Sequence, residues 1–225
     1  MDRSVQITFW EIIVQYIMKI YAIAKKALYK GLLFYMQKNE KYLLKTKETI
    51  MKKDLWDKAV SFHGHECPGL AIGFKACEAA MQKMGIGTSD DEEIVCITEN
   101  DACGVDAVQA LLSCTMGKGN LIYHGTGKQA FSFFNRTNGK KLRVCLIPGK
   151  NKGMEREEWK RYLLDSNVDE IFSFSEPKSD IPEKARLFST LVCEKCGEGA
   201  PEHKMRIIDS KTVCLDCFES YDRGW

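Results

Sequence analysis

The chain has 225 residues, 44% of them hydrophobic, and a formal net charge of +2, which fits an ordinary globular domain with a small appendage and excludes a disordered chain. Ten cysteines in a chain of this length do not make a small secreted disulfide scaffold, and the apolar opening is broken by Glu11, Lys19, Lys25 and Lys26, so the secretory signal pattern is missing. Residues 1–50 hold nine Lys/Arg against four Asp/Glu, leaving twenty-four against twenty-seven for the remainder, a slightly acidic body that argues against a nucleic-acid partner.

From Phe9 to Met36 the chain is rich in Ile, Tyr, Phe, Leu and Met, with lysines at helical intervals. No apolar run reaches the ~18 residues that a bilayer span needs, so residues 1–50 read as an amphipathic helical extension. It could lie on a membrane surface or bind a partner, or it could pack on its own domain or a dimer partner. The lysines occupy no single face, which favours packing over the membrane. The organised domain is expected to start at Met51-Lys52-Lys53-Asp54-Leu55-Trp56, and a translation start at Met51 would leave residues 1–50 outside the native chain.

A short helical pattern around Leu55 to Val60 leads into Phe62-His63-Gly64-His65-Glu66-Cys67-Pro68-Gly69, which holds two of the four histidines and a cysteine at alternate positions. A residue before proline is pushed toward extended backbone, and extended backbone would project His63, His65 and Cys67 to one side. Pro68 suits the first position of a helix through Ala71, Phe74, Ala76 and Ala80, with Cys67 as its N-cap and the helix dipole favouring a thiolate there. Two imidazoles and a sulfur on one edge suit a transition metal or a reactive thiol.

Gly85-Ile86-Gly87 closes that helix. Glu93 to Glu99 reads as an interior strand, and Asp101-Ala102-Cys103-Gly104-Val105-Asp106 opens a second helix that runs to Cys114, with Gly117-Lys118-Gly119 as its stop. A strand at Asn120 to His124 follows, then a hairpin of Lys128 to Phe134 and Lys141 to Ile147 around an Asn-Gly turn. Glu155 to Leu164 is a charged amphipathic helix, and Pro177 to Pro182 reads as a linker. Helices and strands in this mixed order argue for an α+β core over residues 51–182 rather than a regular doubly wound sheet.

Residues 187–220 carry Cys193-x2-Cys196 and, seventeen residues later, Cys214-x2-Cys217. Each pair places two sulfurs on a tight turn, and two such turns complete the tetrahedral sulfur shell of a structural zinc. Lys204 to Ile208 with Thr212-Val213 would form a hairpin between the knuckles, and a segment this small needs the ion to fold. Its charges balance, so a contact within the protein or across a dimer is as good a role as binding DNA.

Cys67 and Cys103 form a second set, both expected at helix starts after extended backbone. If the fold joins the two loops, Asp101, His63 and His65 add ligand or acid/base capacity. Cys77, Cys96, Cys114 and Cys145 lie in apolar runs and read as core.

Residues 62–73, Glu99-Asn-Asp-Ala-Cys-Gly-Val-Asp106 with Gln109-Ala-Leu-Leu112, Gly117-Lys-Gly-Asn-Leu121 and the Cys193 to Cys217 ribbon closely resemble the family of formylmethanofuran dehydrogenase E subunits, over about Leu55 to Phe218. The resemblance implies an α+β domain followed by a zinc ribbon, assembled as a homodimer. It also implies association with the other components of formylmethanofuran dehydrogenase, the molybdenum or tungsten enzyme of the first carbon dioxide reducing step of methanogenesis. This chain has no pterin-binding or iron-sulfur cysteine pattern, so redox catalysis by it alone is unsupported. The expectation is a cytoplasmic, dimeric accessory protein. Structural zinc would sit at Cys193, Cys196, Cys214 and Cys217, and a second transition metal or thiol site would use His65 and Cys67 as ligands. Cys103 would be a third ligand or nucleophile, Asp101 an orienting or proton-accepting group, and His63 an acid/base group. The rival is a zinc-ribbon transcriptional regulator or protein-interaction adaptor; a third reading, an enzyme acting on a small metabolite, needs a pocket beside Cys67 and Cys103.

Overall fold

A computed structural model describes residues 9–221. The chain divides into two compact units, Met1–His65 and Glu66–Trp225. Within the first, a single helix, α1, runs from Phe9–His63 over 55 residues. It passes through Met51 without interruption, since no glycine or proline stands between Gly31 and His63. Val14, Ile17, Met18, Ile23 and Leu28 are exposed alongside Lys19, Lys25, Lys26 and Lys30. Among the described residues no helix is long and apolar enough to cross a membrane.

The second unit is built on helix α2 (Pro68–Met84) and a five-stranded sheet. Alanines 71, 76, 79 and 80 with Leu70 and Phe74 bury most of α2, and it ends where Gly85 takes the left-handed conformation, φ 68°, that glycine adopts without steric cost. Strand β1 (Ile94–Thr98), helix α3 (Gly104–Leu112) and β2 (Leu121–Tyr123) form a crossover, so β1 and β2 are parallel. β3 (Ala130–Asn135) and β4 (Lys141–Leu146) are the expected antiparallel hairpin, and β3 also pairs antiparallel with β1. The order is β2-β1-β3-β4-β5, the mixed sheet of an α+β fold. β3 is interior at Ala130, Phe131, Ser132, Phe133 and Phe134, as a strand flanked on both sides should be.

Helix α4 (Arg156–Asp165) buries Trp159 and Leu163. After it come a four-residue helix, α5 (Val168–Ile171), and strand β5 (Phe172–Ser175), neither expected. Lys75, 1% exposed within α2, donates to the carbonyl of Ser166 at 2.8 Å; its charge caps the C-terminus of α4, the end that favours a cation. α3 ends earlier than expected: Ser113 adopts φ 57° as its cap, and Gly117-Lys118-Gly119 is a separate turn in which Lys118 folds back onto Ser89 O and Ser113 Oγ at 3.4 and 3.3 Å.

The segment before the ribbon is fastened to the core by Arg136, which bonds Glu92 Oε2 at 2.9 Å and the carbonyl of Pro182 at 3.1 Å. The ribbon then forms two hairpins. β6 (Thr190–Val192) pairs with β7 (Gly199–Pro201), which was not expected, and β8 (Met205–Ile208) pairs with β9 (Lys211–Cys214), which was.

Candidate functional site

The four ribbon cysteines converge. Cys193 and Cys196 flank a turn in which Gly197, at φ 80°, donates to the Cys193 carbonyl at 2.8 Å, and Cys217 N and Phe218 N close the second turn on the Cys214 carbonyl at 3.1 and 3.0 Å. Their sulfurs all lie within 4.8 Å of one another, with Cys196 and Cys214 3.9 Å apart. A tetrahedral zinc with Zn–S of ~2.3 Å needs sulfurs ~3.8 Å apart, so the shell fits the ion. The backbone N–H of Cys214 reaches Cys193 Sγ at 3.3 Å. That bond and the N–H of Cys196 bring the Cys193 thiol down to about 6, whereas desolvation, aided by the neighbouring sulfurs, pushes Cys217 up to about 12. Only Cys193, Met205, Val213 and Cys214 form the ribbon's buried cluster, too little apolar surface to fold alone.

At the start of α2, Cys67 has extended backbone (φ −154°, ψ 162°), and its sulfur accepts from Leu70 N at 3.2 Å, as an N-cap should. The extended alternation expected for residues 63–67 is not what gathers its neighbours. His63 is the last residue of α1, Gly64 turns the chain with φ 91°, and its N–H bonds the Val60 carbonyl at 2.8 Å. Helix end plus left-handed turn still places one ligating atom each of His63, His65 and Cys67 within 4.8 Å of one another, with the imidazole centroids 4.6 Å apart.

Cys103 comes beside Cys67 because three glycines let two helices touch through their backbones. A Cβ added at Gly73 would run into the Gly104 backbone, and one added at Gly104 would stand 3.1 Å from the Gly69 carbonyl oxygen and 3.2 Å from Gly73 Cα. One added at Gly69 would stand 3.4 Å from Cys103 Sγ and 3.8 Å from Cys67 Sγ. The two thiols thus flank Gly69 from either side. Cys103 stands at the start of α3, as expected, with helical backbone (φ −47°, ψ −27°) and no side-chain cap. Desolvation, then the Cys67 thiol, push its own thiol upward, against the lowering expected from a helix start.

Asn100, not Asp101, shapes this turn. Its amide is buried, accepting from Ala102 N at 3.2 Å and donating to the Lys128 carbonyl at 3.0 Å, while Asp101 is exposed. Glu99, also buried, accepts from Arg143 Nε at 2.6 Å and Thr126 Oγ1 at 2.9 Å, and the Arg143 bond holds its carboxyl below the usual range. With His124 N on the Thr98 carbonyl and Gly127 N on that of Glu99, both 2.8 Å, residues 124–128 are tied to the turn carrying Cys103. Sequence reasoning passed over Glu99, Asn100, Thr126 and Arg143; the only signal was an acidic residue closing an apolar strand. It placed Cys77, Cys96 and Cys114 correctly in the core, where burial pushes Cys114 up to about 12 and the other two well above the ordinary thiol value. Cys145 is half-buried instead.

Two family models match the chain. Residues 62–174, just over half of it, match the family described as "FmdE, Molybdenum formylmethanofuran dehydrogenase operon", and residues 186–223 match the prokaryotic dksA/traR C4-type zinc finger. A protein of Archaeoglobus fulgidus described as a probable S-adenosyl-L-methionine-binding protein is 30% identical over 195 residues, covering 73% of this chain and 52% of its own length. The chain thus spans about half the length of that curated relative. Among solved structures, a tungsten formylmethanofuran dehydrogenase FmdE-like protein from Syntrophus aciditrophicus is similar with a TM-score of 0.57 at 23% identity, covering 74% of this chain and 91% of the other.

Proposed function

The chain belongs to the FmdE family and carries a C4 zinc ribbon that binds zinc, and from that premise we propose that it is a metal-binding accessory protein with a second site around Cys67. The observation that carries this reading is the convergence of His63, His65 and Cys67 within 4.8 Å, with a second thiol, Cys103, beside Cys67 at Gly69. Imidazole and thiolate together select a borderline or soft transition metal. In this reading His65 and Cys67 are ligands, and His63 is an acid/base group within reach of them. Cys103 is a third ligand or a nucleophile. Asp101, exposed on the same turn, would orient or accept a proton from a ligand entering from solvent.

The metal, when bound, would supply a Lewis acid or an anchoring point for a ligand atom. The residues do the rest: the Gly69, Gly73 and Gly104 contact holds the two sulfurs together, and Glu99 and Asn100 hold residues 124–128 beside the Cys103 turn. The accessory role would be to formylmethanofuran dehydrogenase or a related metabolic enzyme in the cytoplasm, with the chain acting as a homodimer; the operon in the family's description supports the first of these. A regulator or adaptor that works through the ribbon alone is the other outcome of the test.

Elemental analysis of the protein purified without added metal tests the proposal. Two equivalents per chain, falling to one in Cys67→Ser, support it. One zinc in both proteins, with Cys67 and Cys103 equally unreactive in both, leaves only the ribbon. Titration with S-adenosyl-L-methionine, the ligand in the relative's description, belongs in the same series.

A further inference from the structure

The sulfurs of Cys67 and Cys103 both lie within 3.8 Å of the point where a side chain at Gly69 would begin, at 3.8 and 3.4 Å, so the two thiols flank the same small space. Gly69 has no side chain to stand between them, and Gly73 and Gly104 let the two helix starts approach to backbone contact. The pair is also unequal: Cys67 is 1% exposed, whereas Cys103 is half-buried. The other core thiols, Cys77, Cys96 and Cys114, are wholly buried, and zinc holds those of the ribbon.

We propose that Cys67 and Cys103 form a reversible intramolecular disulfide by exchange with a small-molecule disulfide, Cys103 being the thiol attacked from solvent and Cys67 the one that resolves the adduct. Cys103 sulfur attacks one sulfur of RSSR, forming Cys103–S–SR; the S–S bond of the reagent breaks and the first RSH leaves with the Cys103 proton. Cys67 sulfur then attacks Cys103 Sγ, the S–SR bond breaks, and the second RSH leaves with the Cys67 proton. Two electrons pass from the protein thiols to the reagent, and excess RSH reverses both steps. Disulfides that form in reducing compartments are mostly transient ones of this kind. The consequence rests on the proposed function: oxidation removes Cys67 from the metal, so the redox poise of the thiol pool would set the occupancy of the second site.

The test incubates the zinc-loaded full chain in a series of oxidised and reduced glutathione, traps free thiols by alkylation and maps peptides by mass spectrometry. The expected result is a cross-linked peptide joining Cys67 and Cys103, short of two hydrogens and fully reversed by reductant. In Cys67→Ser the glutathione adduct should persist on Cys103, and in Cys103→Ser, Cys67 should stay unmodified. A wild-type chain that stays reduced across the series, or keeps a stable adduct on Cys103 without the cross-link, overturns the proposal. Metal counted in the same samples separates the two readings. Two equivalents in the reduced chain, falling to one as the cross-link forms, support both; a cross-link with one equivalent even at the reducing end leaves the disulfide and ends the second metal site, while two equivalents throughout without a cross-link do the reverse.

Discussion

Replacing Gly73 by alanine puts one methyl group where two helices have no room for it. The nearest atoms all belong to the Gly104 backbone, with its carbonyl carbon 2.6 Å from the new Cβ, whereas ordinary contact begins at ~3.4 Å. The Gly104 oxygen and Cα lie closer still, so the helices must part by more than an ångström, because a peptide group cannot rotate aside as a side chain would. Overpacking of this kind costs roughly 1–3 kcal/mol, and rigid backbone places the site at or above the upper end; the helix preference of alanine over glycine returns about 1 kcal/mol. The expected net loss is about 2 kcal/mol, a fall of roughly 4–8 °C in Tm for a chain of this size. The assay is thermal or urea unfolding of the zinc-loaded chain, with Gly87→Ala as the control. Gly87 has open space around the new Cβ, so that substitution should be neutral or stabilising by up to about 1 kcal/mol. Gly73→Ala should also loosen the Cys67–Cys103 pair and raise the alkylation rate of Cys103. If Gly73→Ala matches the control in stability and thiol reactivity, the glycine contact does not hold the site together.

Removing zinc with a chelator should melt the ribbon strands and spare the sheet of the core, as read by hydrogen exchange, because the ribbon's own buried cluster is four residues. Zinc affinity should also weaken steadily as the pH falls, because protons compete with zinc for the four thiolates. Arg143→Met should leave the Glu99 carboxylate unpaired in a largely buried position at a cost of roughly 3 kcal/mol, and limited proteolysis should then cut within residues 124–128. Glu93 is held down to about 2, mainly by its own backbone N–H and also by those of Asp90 and Asp91. Its folded value lies below its unfolded one, so its contribution is fully present above about pH 4.5 and is lost as the pH falls toward 2. The stability gap between wild type and Glu93→Gln, measured by urea unfolding, should therefore close over that range.

Much of the core was legible because its signals are local. Pro68 and Gly85 bracket α2, β-branched residues mark β1, and Asn138-Gly139 turns the β3–β4 hairpin. β5 escaped because Phe172-Ser-Phe-Ser is short and has no β-branched residue, although the Asn167/Glu170 capping box just before it was a readable start signal for α5. α1 runs on through Met51, where the change in charge and composition brings no glycine or proline to end a helix. In the site, the cysteine and histidine types were readable from spacing alone. What joins Cys67 to Cys103 was not, since a Gly69-x3-Gly73 spacing becomes informative only when Gly104 of another helix is seen against it. The raised Cys103 thiol has a related origin: desolvation by the packed elements, and then the Cys67 thiol, outweigh the helix end that sequence makes visible.

Cobalt(II) titration of the metal-free chain, followed optically, tests the second site most directly, because sulfur-to-metal charge-transfer intensity scales with the number of bound thiolates. The account predicts two equivalents. One carries the strong bands of four sulfurs; the other carries weaker bands from mixed nitrogen and sulfur ligands, and Cys67→Ser removes it alone. A spectrum that saturates at one equivalent and is unchanged by Cys67→Ser would contradict it.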